Sequence, residues 1–227
     1  MSVYGLNKAK GNMYDWIDAT WNPIKGECSH NCHYCYMKRW GKQKPIRLFQ
    51  KELMADLGKN NLIFVGSSCD MFAEDIPMEW ISSVFNHCNL FKDNRYLFQT
   101  KNPERLYGIR TLLPSNSIIG TTIESNKTFN EMGNTPSPIT RLKWIRMIKY
   151  FGLETIITVE PVMDFDTFLF AGILIAANPN WINIGANTSY NIKLKEPEKD
   201  KIIKLLELLN RYKMEVKIKP NLKRLMK

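Results

Sequence analysis

The sequence predicts an α/β fold, a partial (β/α)6-type parallel barrel, and three observations carry that expectation. Short β-rich runs alternate with helical patterns along the chain, and in that order each strand returns through a crossover helix to pair in parallel with a neighbour. No low-complexity segment interrupts the alternation. Polar residues recur where the strands end, and (β/α) barrels gather their chemistry at the C-terminal ends of their strands. A doubly wound open sheet is the rival reading of the same alternation; the polar strand ends favour the barrel.

A first strand is expected around Ala19-Thr20-Trp21. The runs 62–66, 96–100, 117–123, 155–159, 181–184 and 215–219 read as six more, bringing the count to seven. Helical spacing of apolar residues marks 79–91, 103–109, 139–151, 165–177 and 197–212 between most of them. A chain of 227 residues, 44% hydrophobic and 11% aromatic, can bury one sizeable core, so a single domain over 1–227 is expected. The longest apolar run, 168–177, is about half of what a membrane span needs. With no leader read at the start, a cytoplasmic protein with no membrane segment is expected. The net charge of +10 is unevenly placed: 193–227 holds twelve Lys and Arg against five Asp and Glu, leaving +7 there. Such a basic segment can meet nucleic-acid phosphates, although a solvated lysine-rich helix face accounts for it as well.

The run Lys25-Gly26-Glu27-Cys28-Ser29-His30-Asn31-Cys32-His33-Tyr34-Cys35-Tyr36 sets three thiols on one short loop, within 26–40. Thiolates so spaced can each ligate one iron of a 4Fe-4S cubane and leave the fourth iron open to a small molecule. Structural zinc is the competing reading, with His30 or His33 closing a Cys3His tetrahedron in a zinc-stabilised nucleic-acid-binding module. Zinc sites usually add a second ligand pair downstream, whereas Cys69 and Cys88 stand apart and His87 is the one other histidine. Five cysteines are an odd count, which speaks against a disulfide framework.

The strand ends supply Ser67-Ser68-Cys69-Asp70, Gln99-Thr100-Lys101, Thr122 and Glu124, Glu160, and Gly185-Ala186-Asn187 in turn. Any one of these could be a helix cap or a turn. Together they place hydroxyls, carboxylates, a lysine and a close-approach glycine at one rim, which suits a zwitterionic, ribose-containing ligand.

The successive pieces Thr20-Trp21-Asn22-Pro23, the run 28–36, Phe64-Val65-Gly66-Ser67-Ser68-Cys69-Asp70-Met71-Phe72, Phe98-Gln99-Thr100-Lys101-Asn102-Pro103, Gly120-Thr121-Thr122-Ile123-Glu124, Val159-Glu160-Pro161 and Trp181-Ile182-Asn183-Ile184-Gly185 resemble a phage-associated radical S-adenosylmethionine (SAM) family without a settled function. That family is similar in turn to the spore photoproduct lyase and DNA repair photolyase group. The resemblance implies a barrel of the radical SAM kind, with a 4Fe-4S cluster and SAM as cofactors and an electron donor protein as partner. A barrel of this size has an open side for a protein partner or the substrate to cover. It implies Cys28, Cys32 and Cys35 as cluster ligands, backbone around Tyr34 against adenine, Ser67 and Ser68 at the methionyl amine, and Lys101 at the methionyl carboxylate. Thr122 and Glu124 would serve the ribose or amine, Glu160 the ribose hydroxyls, and Gly185 close backbone approach to adenosine. Cys69 would return a hydrogen atom to a product radical; its competing account is a small buried core residue. The implied activity is SAM cleavage to a 5'-deoxyadenosyl radical acting on a nucleic-acid base or nucleotide, with a peptide or small metabolite as the alternative substrate. One departure stands out: Gly185-Ala186-Asn187-Thr188 replaces the family's Gly-Gly-Glu-Ser, so a carboxylate is missing.

Overall fold

Where the sequence alternates, so does the chain. A computed structural model describes residues 5–189 and 192–227; positions 1–4, 190 and 191 of the expected domain lie outside the described residues. Its elements run β1 (Asn7–Lys8), β2 (Ala19–Trp21), β3 (Ile24–Lys25), β4 (Arg47–Leu48), β5 (Leu62–Val65), α1 (Met78–Leu90), β6 (Arg95–Thr100), α2 (Pro103–Gly108), β7 (Ser117–Thr122), α3 (Pro138–Tyr150), β8 (Glu154–Val159), α4 (Thr167–Ala177), β9 (Trp181–Ile184), α5 (Lys199–Arg211) and β10 (Val216–Ile218). The main sheet has the order β1-β2-β5-β6-β7-β8-β9-β10. From β2 onward its pairs are parallel, and β1 is added antiparallel at one edge.

That order never reverses, which decides between the two architectures. Right-handed crossovers that always step the same way put every helix on one face of the sheet, whereas a doubly wound sheet reverses partway and covers both. The result is the curved, partial parallel barrel.

Strand alternation then makes two separate cores. Ile63, Val65, Phe98, Ile119, Ile157, Val159, Ile182 and Ile184 face the helices and pack with Ile81, Phe85, Ile145, Leu174 and Leu205. Phe64, Leu97, Ile118, Ile156 and Trp181 face the lumen, where Tyr14 and Ile17 fill the space between them. Tyr14 stacks on Trp16 with ring centroids 5.0 Å apart, and its hydroxyl bonds Gln99 and Thr158, each at 2.8 Å. The indole of Trp16 donates to Asn183 Oδ1 at 3.3 Å. The segment before β2 thus plugs the barrel with the chain's own side chains.

Helix starts follow local chemistry. Asn102 accepts from the Arg105 amide at 3.4 Å and Ser137 from the Thr140 amide at 3.2 Å, each capping a helix that opens with proline. Along α5, Ile202, Leu205, Leu208 and Leu209 form its buried stripe. No helix among the described residues is long and apolar enough to cross a membrane. The edge strand β1 and the antiparallel pair β3–β4 are additions to the sequence-based layout; each strand is two residues long, too short to show a period.

Candidate active site

The cysteine loop leaves from β3 and returns through β4, which pair Ile24 with Leu48 and Lys25 with Arg47. At its base Gly26 has φ +134, and a Cβ there would lie 2.6 Å from Ile46 Cα; only glycine fits this backbone. On its far side the amide of His33 donates to Glu131 O at 2.8 Å and that of Asn134 to His30 O at 2.7 Å. His30 Nε2 meets Asp70 Oδ2 at 2.9 Å, and the same carboxylate accepts from Thr100 Oγ1, the Lys101 amide and the Phe72 amide. Burial opposes charge on both partners, yet their pairing raises the His30 pKa and lowers that of Asp70. Of the two histidines a zinc tetrahedron could recruit, His30 is therefore committed to Asp70, while His33 is exposed. Among the described residues no three His, Cys, Asp or Glu side chains converge as if to hold a single metal ion.

Cys28, Cys32 and Cys35 all line one cavity of about 900 Å³, at the end of the barrel where the parallel strands finish. The neighbouring Cys69 thiol outweighs burial and holds Cys28 below the usual thiol value, while burial pushes Cys35 up. One soft donor for each of three irons is the set a cubane with an open iron requires. The cavity wall also carries Ser68, whose Oγ is buried without a hydrogen-bond partner. A buried hydroxyl left unpaired costs free energy, and a polar ligand in the cavity would satisfy it. The three thiols are the donor set such a cluster would need, and the unpaired hydroxyl suits a polar ligand.

Lys101 closes the loop onto the barrel. Its ammonium lies 3.0 Å from Glu124 Oε1, 2.8 Å from the Tyr34 hydroxyl and 3.4 Å from Cys32 Sγ, so all three of its N–H groups have partners. Glu124 is fully buried, takes the Tyr34 hydroxyl hydrogen, and pairs through Oε2 with Arg141 at 2.9 Å, off the line of a hydrogen bond. Burial disfavours its charge, but Arg141 and Lys101 overcome that and hold Glu124 down to about 2. For Lys101 burial is likewise outweighed, chiefly by Glu124, and its pKa rises.

A second carboxylate gathers the two ends of the chain. Glu160 Oε1 accepts from Asn12 at 2.8 Å and Asn221 at 2.7 Å, and Oε2 from Lys219 at 2.8 Å. A carboxylate offers about four lone-pair sites, so one remains for a ligand. Gly185 makes room for it, because a Cβ there would lie 2.6 Å from Glu160 Oε1.

The structure brings Ser67, Ser68, Cys69, Lys101, Thr122, Glu160, Tyr34 and the three loop cysteines to one cavity. It places Glu124 behind Tyr34 in the ion network, and Gly185 against Glu160. Ser67 Oγ and the Ser68 amide both bond Asn22 Oδ1, at 3.1 and 2.8 Å. Cys69 is buried beside Cys28. His87 bonds Ala55 O at 2.8 Å, and Cys88 is core. Arg141, Tyr14 and Asn221 were not singled out by sequence, while Asn22 stood only within the run Thr20-Trp21-Asn22-Pro23 and Lys219 only within the basic segment 193–227; Arg141 lies on the buried stripe of α3 with Leu142, Ile145 and Ile148.

A family profile described as a protein of unknown function (DUF5131) matches residues 12–166. Among curated proteins no match is found. Solved structures of spore photoproduct lyase are similar in fold. One complexed with dinucleoside spore photoproduct has a TM-score of 0.67 at 12% identity, covering 92% of this chain and 78% of that one. A double mutant with bound AdoMet and dinucleoside spore photoproduct has a TM-score of 0.66 at 12% identity, covering 95% and 80%. At such identity the likeness is one of fold.

Proposed function

This chain belongs to the DUF5131 family, and we propose that it is a radical SAM enzyme acting on a nucleic-acid base or nucleotide, in repair or modification. The observation that carries this reading is the convergence of three loop thiols and an unpartnered buried serine hydroxyl on one strand-end cavity. The likeness to spore photoproduct lyase, one structure of which is complexed with dinucleoside spore photoproduct, supports the substrate class.

Cys28, Cys32 and Cys35 would hold a 4Fe-4S cluster, which when bound supplies the electron that cleaves SAM to a 5'-deoxyadenosyl radical. The residues around it bind, orient and shield. Ser68 Oγ accepts from the methionyl amine, and Thr122 stands across the same cavity. Glu160 offers its remaining lone pair to a ribose hydroxyl, held in place by Asn12, Lys219 and Asn221. Lys101 acts as a positioning residue: it fixes Tyr34 and directs an N–H at the Cys32 sulfur. Tyr14 closes the cavity from below and keeps bulk water away from a reactive intermediate. Cys69, buried beside Cys28, can give up a hydrogen atom only to a radical that reaches this wall. A reducing protein partner supplies the electron.

Anaerobic reconstitution with iron and sulfide should give a brown protein that releases 5'-deoxyadenosine from SAM under reduction, faster with a damaged or modified oligonucleotide than without. Colourless protein carrying one tight zinc would overturn the reading. A finer test is Ser68→Ala. Removing an unpartnered buried hydroxyl leaves the free protein as stable or slightly more so. SAM, losing a hydrogen bond to a charged group, should bind roughly 10- to 150-fold more weakly, with iron unchanged.

A further inference from the structure

We infer that single-stranded nucleic acid docks on the rim formed by residues 36–44 together with Lys8 and Lys10, with a base stacked on Trp40 and backbone phosphates against Lys38, Arg39 and Lys42. The substrate role of this surface rests on the function proposed above and specifies it.

The segment follows directly on Cys35 and reads Tyr36-Met37-Lys38-Arg39-Trp40-Gly41-Lys42-Gln43-Lys44, with no acidic residue. Trp40 is 63% exposed. The Arg39 guanidinium lies 4.8 Å from its ring centroid and 5.5 Å from that of Tyr36. An exposed indole flanked by cations is what sequence-tolerant single-strand binding uses, since every base has a stacking face and phosphates follow at each step. A duplex has those faces already stacked, so an unpaired strand or an extruded base fits better. Lys10, Lys38, Arg39, Trp40 and Lys42 all border the thiol-lined cavity. A neighbouring concavity of about 580 Å³ continues the track past Lys8, Lys10 and Trp40. The acidic side chains on the cavity wall are Glu27, Asp70 and Glu160, of which Asp70 and Glu160 are paired with His30 and Lys219.

The C-terminal segment carries more charge but has already spent much of it. Lys195 and Lys201 pair with Asp164, Lys204 with Glu207, Lys217 with Glu215, Lys219 with Glu160 and Arg224 with Glu196. Lys217 lies over Trp16 and Trp181, and Lys219 over Tyr14, so these two belong to the plugged lumen. Along the rim, Lys38 bonds only Asn31, and Lys8, Lys10, Lys42 and Lys44 have no carboxylate partner among the described residues.

The test is titration of a labelled single-stranded oligonucleotide by the full-length reconstituted protein over a salt series. Lys38→Gln with Arg39→Gln and Lys42→Gln removes three phosphate contacts and should flatten the slope of log K against log salt by about 2. Trp40→Ala should weaken binding roughly 5- to 150-fold. Lys199→Gln with Lys213→Gln and Lys223→Gln should leave the slope as it is. Unchanged affinity in both rim variants, or a slope that falls only in the C-terminal triple variant, overturns the inference. So does equal competition by polyglutamate, which would mark a surface for an acidic protein. Zinc in place of iron with rim binding intact would overturn the proposed function and leave the docking surface standing.

Discussion

Replacing Cys28, Cys32 or Cys35 by alanine is expected to strip the reconstituted protein of its iron and its visible absorbance together. Each thiol would serve a different iron, so one loss opens a second iron to solvent and the cluster falls apart. Neither remaining cysteine can substitute. Cys88 is locked in the core on α1, and Cys69 is buried after β5, off the loop that carries the three thiols. Cys88→Ala serves as the control: it should cost stability by leaving a small cavity while iron per chain stays at the wild-type value. Three variants that keep full iron and full SAM cleavage would show the cluster to lie elsewhere.

How much of this was legible in sequence depends on range. Strands such as 95–100 and 154–159, and the helices between them, announce themselves through β-branched runs and helical spacing, and the structure places them within about two residues of the reading. The thiol loop was legible because its ligands are neighbours in the chain. Direction was harder. Thr122 ends β7 and faces the cavity, but Glu124 lies past the last paired residue, where alternation no longer dictates a face, and it turns toward Arg141. Nothing local in Glu124 foretells a partner on the next helix. Lys217 lies on β10 and Lys219 just past its last residue, and both turn to one side. That this side is a lumen lined by Tyr14 and Trp16 depends on the N-terminal segment folding back across the whole chain. The resemblance implies Lys101 at the methionyl carboxylate; the carboxylate beside it within the chain is Glu124.

That pairing sets the second large effect. Glu124→Gln keeps the shape and the bond from Tyr34 but removes the one negative charge between Lys101 and Arg141. Two buried cations left facing each other should cost about 3 to 5 kcal/mol, which for a chain of this size lowers Tm by roughly 6 to 20 °C. Lys101→Met should cost less, because Glu124 and Arg141 still neutralise one another. It removes instead the N–H aimed at Cys32 Sγ, and a thiolate that loses a hydrogen bond gives a cluster harder to reduce, so its midpoint potential should fall. The two variants therefore separate fold from cofactor: Glu124→Gln shows mainly in melting, Lys101→Met mainly in the potential. Acid gives an independent check. Glu124 is depressed from 4.5 to about 2 in the folded chain, so its contribution is complete above pH 4.5 and is lost as pH falls from there toward 2. The stability gap between wild type and Glu124→Gln should narrow across that window and stay constant above it. A gap that is absent at neutral pH, or that does not change on acidification, would mean that Glu124 does not carry the charge that holds the cysteine loop to the barrel.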